Sequence, residues 1–295
     1  MTKSPSAPAR PAGSGRPRPA RRDDPLTLLG RLTGRDRLLL DVLADHQVLT
    51  TSQITQLAFV SLGTAQRRLH SLHELAVLDR FRWHVPIGSA SWHYTLGIHG
   101  AALVAAAQGV DPPRPAELRR RLTRLATNPR LGHLLGVNGF FTTLAALARS
   151  HPDAALTHWW SEQRCAQHYG QLVRPDGYGA WTDHKRRVDF FLEFDTGSER
   201  PLARVAGKLA GYADLATAGG PSCVVLFWLQ TAAREAHLRP LLAEHAAVRS
   251  GLIVATAAAD FSAALGASPA GPVWMRADGH GRSRLVDLSP SPPLV

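Results

Sequence analysis

The sequence predicts a mixed α/β chain with two domains. Over residues 33–108, helix-spaced apolar residues are followed by two β-like runs. After residue 131 the pattern changes to an α-β-β-β-α-β succession. The chain has 295 residues and 44% apolar content, enough for two cores.

Residues 1–31 are expected to be a disordered, basic, Pro-rich arm. Pro5, Pro8, Pro11, Pro17 and Pro19 break any regular element, and Arg10, Arg16, Arg18, Arg21 and Arg22 offer little to bury. Such an arm either adds non-specific DNA affinity or is a tail with no partner.

Residues 32–109 are expected to form the first domain. Thr33 precedes a helix whose apolar stripe is Leu38, Leu39, Val42 and Leu43. The Thr50–Thr51–Ser52 cluster caps a short second helix with Ile54 and Leu57. Ser61 caps a third, with Ala65, Leu69 and Leu72 on one face. LDRFRWHV and SWHYTL follow as strands around PIGSA, and a helix from about Ile98 to Gln108 closes the unit. Helix, helix, helix, hairpin is the order of a winged helix-turn-helix. In that fold the third helix enters the major groove of duplex DNA and the hairpin reaches flanking phosphates. Arg67 and Arg68 are the candidates for base edges or phosphate, with Gln66 and Thr64 beside them. Arg80, Arg82 and His84 alternate onto one face of the hairpin. The same residues would also suit a protein-binding unit with solvated arginines.

Residues 110–130 read as a basic linker and helix, with Arg119, Arg120, Arg121, Arg124 and Arg130. Residues 131–262 read as the second domain, opening on a long apolar helix. LTHWWSEQRCA, LVRPDGYGAW and RVDFFLEFD are its first three strands. A helix from about Pro201 to Ala216 leads to CVVLFWL, typical of a buried strand. A helix near 234–247 and the strand LIVAT extend the sheet, and residues 263–295 read as a C-terminal extension with a disordered end.

The formal net charge is +11, almost all of it arginine, which points to an anionic partner and above all to DNA. The two cysteines form no CxxC, so a structural zinc site and a disulfide framework are not expected. No signal peptide and no uninterrupted apolar run of about 18 residues is evident. A cytoplasmic location without membrane contact is therefore expected. There is no phosphate-binding GxxxxGK[ST] loop and no His-x-His pair of the two-histidine relaxase kind.

The candidate chemistry lies in FLEFD. Glu193 and Asp195 share one face of a strand, and Asp176 follows Pro175 on its expected antiparallel neighbour. Three hard oxygen ligands at one end of a sheet suit Mg²⁺, which can activate water at a phosphodiester. Arg204, Lys208 and Tyr212 are spaced to share a helix face that leans over the acids. Alternatively, the acids pair with Arg174, Arg204 and Lys208 in a buried ionic network. Glu162 is a weaker candidate on the neighbouring strand.

The element order, Pro175–Asp176 and Glu193-x-Asp195 resemble a PD-(D/E)xK nuclease core, a restriction-endonuclease-like fold. Residues 32–260 resemble the actinobacterial replication-relaxation family more closely. The resemblance rests on Trp159 to Glu162, RPDGYG (Arg174 to Gly179), FLExDTGxE (Phe191 to Glu199) and Lys208-x-x-x-Tyr212. It implies a DNA-binding protein of plasmid replication or relaxation, with plasmid replication or transfer proteins as partners. It also implies a Mg²⁺-dependent nickase using Asp176, Glu193, Asp195 and Lys208. Asp195 stands where the nuclease pattern has lysine, so Lys208 must supply that cation from the following helix. The alternative is a non-catalytic DNA-binding factor with a degenerate nuclease fold.

Overall fold

The computed structural model describes residues 28–83 and 90–289. The basic arm as far as residue 27, His84 with most of PIGSA, and residues 290–295 lie outside the described residues. The chain divides into two units, residues 1–135 and 136–295.

In the first unit, α1 (Gly34–His46) begins with a reciprocal cap. The Thr33 hydroxyl accepts from the Asp36 backbone N–H, and the Asp36 carboxylate accepts from that of Thr33. Thr50 and Gln53 repeat the device at α2 (Thr51–Ala58), and Ser61 caps α3 (Leu62–Glu74). The buried residues are Leu39, Leu40 and Leu43 of α1, Ile54 and Leu57 of α2, and Ala65, Leu69 and Leu72 of α3. Leu38, expected in the apolar stripe, is 44% exposed. Leu40 takes the inward position instead, because Leu39, Leu40 and Leu43 satisfy helical spacing equally well.

Strands β1 (Leu49–Thr50), β2 (Leu78–Phe81) and β3 (His93–Leu96) form an antiparallel sheet of order β1-β3-β2. Its register pairs Leu78 with Leu96 and Phe81 with His93. Helix α4 (Ile98–Gln108) ends on Gly109, whose φ of +68° makes the left-handed cap that glycine favours. The basic segment after it is helical from Pro115 to Ala126 (α5). Leu125 is buried with Val48, Phe81 and Leu131, and the Trp83 indole N–H donates to the Ala126 carbonyl at 3.3 Å. Helix α5 is thus part of this unit's packing, with Arg119, Arg120 and Arg124 left exposed.

Helix α6 (Leu131–Ser150) crosses the division between the units. Its 20 residues are long and apolar enough to span a membrane by length and composition. Here its Val137, Phe140, Phe141 and Leu144 are buried against a sheet. That sheet has six strands in the order β4-β5-β6-β7-β8-β9. They are β4 (Ala154–Ser161), β5 (Gly177–Asp183), β6 (Arg186–Asp195), β7 (Val224–Leu229), β8 (Val254–Ala258) and β9 (Met275–Arg276). The first three pair antiparallel, β6-β7-β8 pair parallel, and β9 returns antiparallel. Edge strand β4 slips in register between Leu156 and His158. Phe190 and Phe141 crowd the middle of β5, where a Cβ on Gly179 would lie 2.4 Å from Phe190 Cζ.

Two sequence expectations change here. LTHWWSEQRCA does not remain extended: Ser161 caps α7 (Glu162–Tyr169), so Glu162 sits on a helix. The helix expected over 201–216 is two, α8 (Leu202–Gly207) and α9 (Leu209–Thr217), joined at Lys208. Gly207 and Gly211 flank the joint, and glycine is a poor helix former. Helices α10 (Ala232–Ala243), α11 (Ala246–Arg249) and α12 (Ala259–Ala264) complete the unit. Residues beyond 262 belong to its core, since Trp274, Leu285, Val286 and Leu288 are buried with Phe140 and Trp228.

The Asp36 side chain is fully buried, and Arg68 of α3 meets it through Nε at 3.0 Å and Nη2 at 2.5 Å. Burial pushes the Asp36 carboxyl up, but hydrogen bonds from Arg68 and Thr33 outweigh it and hold it below the usual carboxylate range. Arg68→Ala leaves that charge unpaired and is expected to cost about 3 kcal/mol of stability, read by denaturant unfolding at neutral pH. The deficit should narrow in acid, where the wild type loses the contribution as Asp36 protonates.

Candidate functional site: an acid pair with a lysine

Strand β6 alternates as its sequence requires. Leu192 packs on the α6 side, while Phe191 packs with Val205, Leu209 and Tyr212 of α8 and α9. Glu193 and Asp195 therefore face the α8–α9 side. Asp176 directly precedes β5, whose first pair is Gly177 with Leu192. One step further along the register sets Asp176 opposite Glu193. The Asp176 carboxylate accepts the Phe194 backbone N–H at 2.8 Å, tying the start of β5 to the end of β6. Asp176, Glu193 and Asp195 are all buried.

Glu193 is the centre of the cluster. Lys208 Nζ donates to its Oε2 at 2.6 Å, and the Tyr212 hydroxyl to its Oε1 at 2.6 Å. The helical joint at Lys208 keeps both on one side, since Lys208 itself has helical dihedrals. Burial, then the charge of Asp176, push the Glu193 carboxyl up to about 7 against the opposing pull of Lys208 and Tyr212. Burial works to lower the Lys208 ammonium, but Glu193 and Asp176 outweigh it and raise it to about 12. Lys208 thus stays a cation while Glu193 titrates near neutrality. The Tyr212 hydroxyl is driven well above its ordinary range by burial and by Glu193. Glu199 stands 3.8 Å from Lys208 Nζ as a second acid on the same cation.

Asp195 shares the strand face but not the cluster. Arg234 of α10 takes it with Nε at 2.6 Å and Nη2 at 3.2 Å and also donates to the Glu199 carbonyl. Among the described residues, no group of three His, Cys, Asp or Glu is placed to hold a metal ion. The site is thus two facing acids, a lysine and a tyrosine, with a separate Asp195–Arg234 pair beside it. Arg174 and Arg204 are exposed and no ion pair joins them to the acids among the described residues. Glu162 lies on α7. Sequence reasoning missed Arg234 and Glu199. Glu199 stood within the FLExDTGxE run, whereas nothing local marks Arg234.

In the first unit, Thr64, Gln66 and Arg67 are exposed on α3, with the Thr64 hydroxyl 3.0 Å from that of Ser61. Arg68 is turned inward to Asp36 and the Arg31 carbonyl at 3.0 Å, so it is a strut beneath α3. Arg80 and Arg82 are half-buried, Arg80 within β2 and Arg82 just after it.

The family description that matches the chain is replication-relaxation, over residues 40–224, from α1 to the start of β7. The chain belongs to the replication-relaxation family. The matched stretch contains Asp176, Glu193, Asp195, Lys208 and the whole β2–β3 hairpin, and membership suggests a role in replication and relaxation. No curated protein and no solved structure matches the chain.

Glu193 binds its proton more tightly in the fold than its ordinary value of 4.5 allows in an open chain. The metal-free protein is therefore expected to lose stability as pH rises from about 4.5 through about 7, because the folded state holds the extra proton over that window. Glu193→Gln should flatten the slope, as measured by urea unfolding across that range.

Proposed function

We propose that this replication-relaxation protein binds duplex DNA through its first unit, as a winged helix-turn-helix, and nicks a phosphodiester at the Asp176–Glu193–Lys208 cluster. The observation that carries the catalytic part is Lys208 Nζ at 2.6 Å from a buried Glu193 that faces Asp176. This is a PD-(D/E)xK-like set in which the lysine comes from the following helix. DNA binding is supported by the +11 net charge and by exposed Thr64, Gln66 and Arg67 on α3.

A divalent ion such as Mg²⁺ fits the acid pair, not the expected triad. Mg²⁺ takes one or two carboxylates and fills its remaining positions with water and phosphate oxygens. Asp176 and Glu193 would hold it; burial first, and then the Asp176 charge, raise the Glu193 carboxyl, and a cation there would offset the second of these. Asp195 stays with Arg234. When bound, the ion supplies Lewis acidity and a more acidic water. Lys208, already fixed against Glu193, places positive charge beside the scissile phosphate. Tyr212 orients the Glu193 carboxylate and, with its proton held tightly, is a poor nucleophile.

A second reading has its own support. Both Glu193 oxygens already have donors, and one Asp176 oxygen takes the Phe194 N–H, so the cluster also stands as a self-contained ionic lock. In that case the protein is a DNA-binding factor of replication with an inactive nuclease fold.

Nicking of supercoiled plasmid, with Mg²⁺ or with EDTA, separates the two. Activity is expected with Mg²⁺ alone, and Asp176→Asn or Lys208→Met should lower it by roughly a hundredfold or more while DNA binding persists. Nil activity under both conditions, with intact DNA binding, selects the inactive factor.

A further inference from the structure

The β2–β3 hairpin carries two chemically different groups. Phe81, Trp83 and His93 form a ring cluster, with Phe81 and His93 stacked at 5.1 Å and Trp83 edge-on to His93 at 4.7 Å. Arg80 of β2, with Arg82 and Trp92 just beyond the strand ends, forms a second group. There the Arg80 guanidinium lies 4.1 Å from the Trp92 ring centroid and that of Arg82 lies 4.3 Å from it. One indole thus holds two guanidiniums. The nearby acid Asp79 spends its carboxylate on the Arg80 backbone N–H at 2.8 Å. Among the described residues, no carboxylate pairs with either guanidinium.

Two like charges on one ring repel each other, and the ring attraction of roughly 0.5–1 kcal/mol each does not neutralise them. What it does is fix two long side chains that would otherwise sample many rotamers. The result is a preorganised dication with planar donors, complementary to an anion with several oxygens. We infer that Arg80, Trp92 and Arg82 form a phosphate clamp that grips the DNA backbone independently of sequence, with Trp92 as its positioning residue. This rests on the DNA-binding reading above and assigns to Trp92 a role that its own chemistry, lacking charge, does not advertise. Arg67 and Gln66 on α3 are left to read bases, while the clamp sets the salt-sensitive share of affinity.

The test is the salt dependence of binding by the full chain to a duplex of arbitrary sequence. Each phosphate contact contributes about 0.9 to the slope of log K against log salt. Arg80→Gln and Arg82→Gln are each expected to reduce the slope by about 1. Trp92→Ala removes no charge, yet it should also reduce the slope and weaken binding roughly tenfold, because both guanidiniums lose their platform. Trp92→Phe keeps a ring and should retain most of the slope. If Trp92→Ala lowers only the melting temperature or the active fraction and keeps the wild-type slope, Trp92 is structural and the clamp is overturned. The glutamine variants probe the same point with Trp92 left in place: an unchanged slope in both overturns the clamp. A wild-type chain with no salt-dependent duplex binding overturns the DNA-binding reading itself, a result distinct from a steep slope that these variants leave intact.

Discussion

A carboxylate inside a sheet stays charged only if cations and donors stand within reach, because burial alone drives it to its neutral form. Glu193 is where the second unit faces this constraint: Lys208 and Tyr212 favour the charged form, burial and Asp176 the neutral one, and the carboxyl is pushed up to about 7. The parallel β6–β7 pairing holds the strand rigid in the middle of the sheet. The Asp176 bond to the Phe194 N–H fixes which end of β5 arrives there. The α8–α9 joint brings Lys208 and Tyr212 down from above. Removing any one of these leaves either an unpaired buried charge or an unfilled donor, so the local fold and the local electrostatics are one problem.

The same arrangement separates two acids that strand periodicity places together. Glu193 and Asp195 face one side, yet Lys208 takes the first and Arg234 the second. The two cations differ in kind. Arginine binds Asp195 as a planar fork and cannot give up its proton, which suits a permanent tether between β6 and α10. Lysine is a compact point charge on a flexible stem, free to shift with a neighbouring anion. The proposed chemistry is therefore assigned to Asp176 and Glu193, and Asp195 is left to its arginine.

Much of this was legible in the residues. Thr33, Thr50 and Ser61 marked three helix starts by their capping chemistry, and Glu193 and Asp195 were placed by alternation alone. Lys208 was found because its spacing to Tyr212 put both on one helical face, a relation that survives the break between α8 and α9. What escaped was non-local. Arg234 lies 39 residues from Asp195, and Arg68 lies 32 from Asp36, so no short-range pattern couples them. Arg68 read as a solvent-facing reader for that reason. Ser161–Glu162 did carry a helix-start signal, overridden by the apolar run before it. The C-terminal segment looked peripheral by composition, yet Trp274 and Leu285 are core residues because the sheet's far face needed covering.

The slipped register in β4 bears on the company the sheet keeps. An outermost strand with evenly spaced, unpaired amides invites a stranger's strand to extend the ladder. The irregularity between Leu156 and His158 bends that row out of step, and β9 at the opposite border has only two residues. Neither border of this sheet presents a long straight template, which disfavours edge-to-edge pairing there.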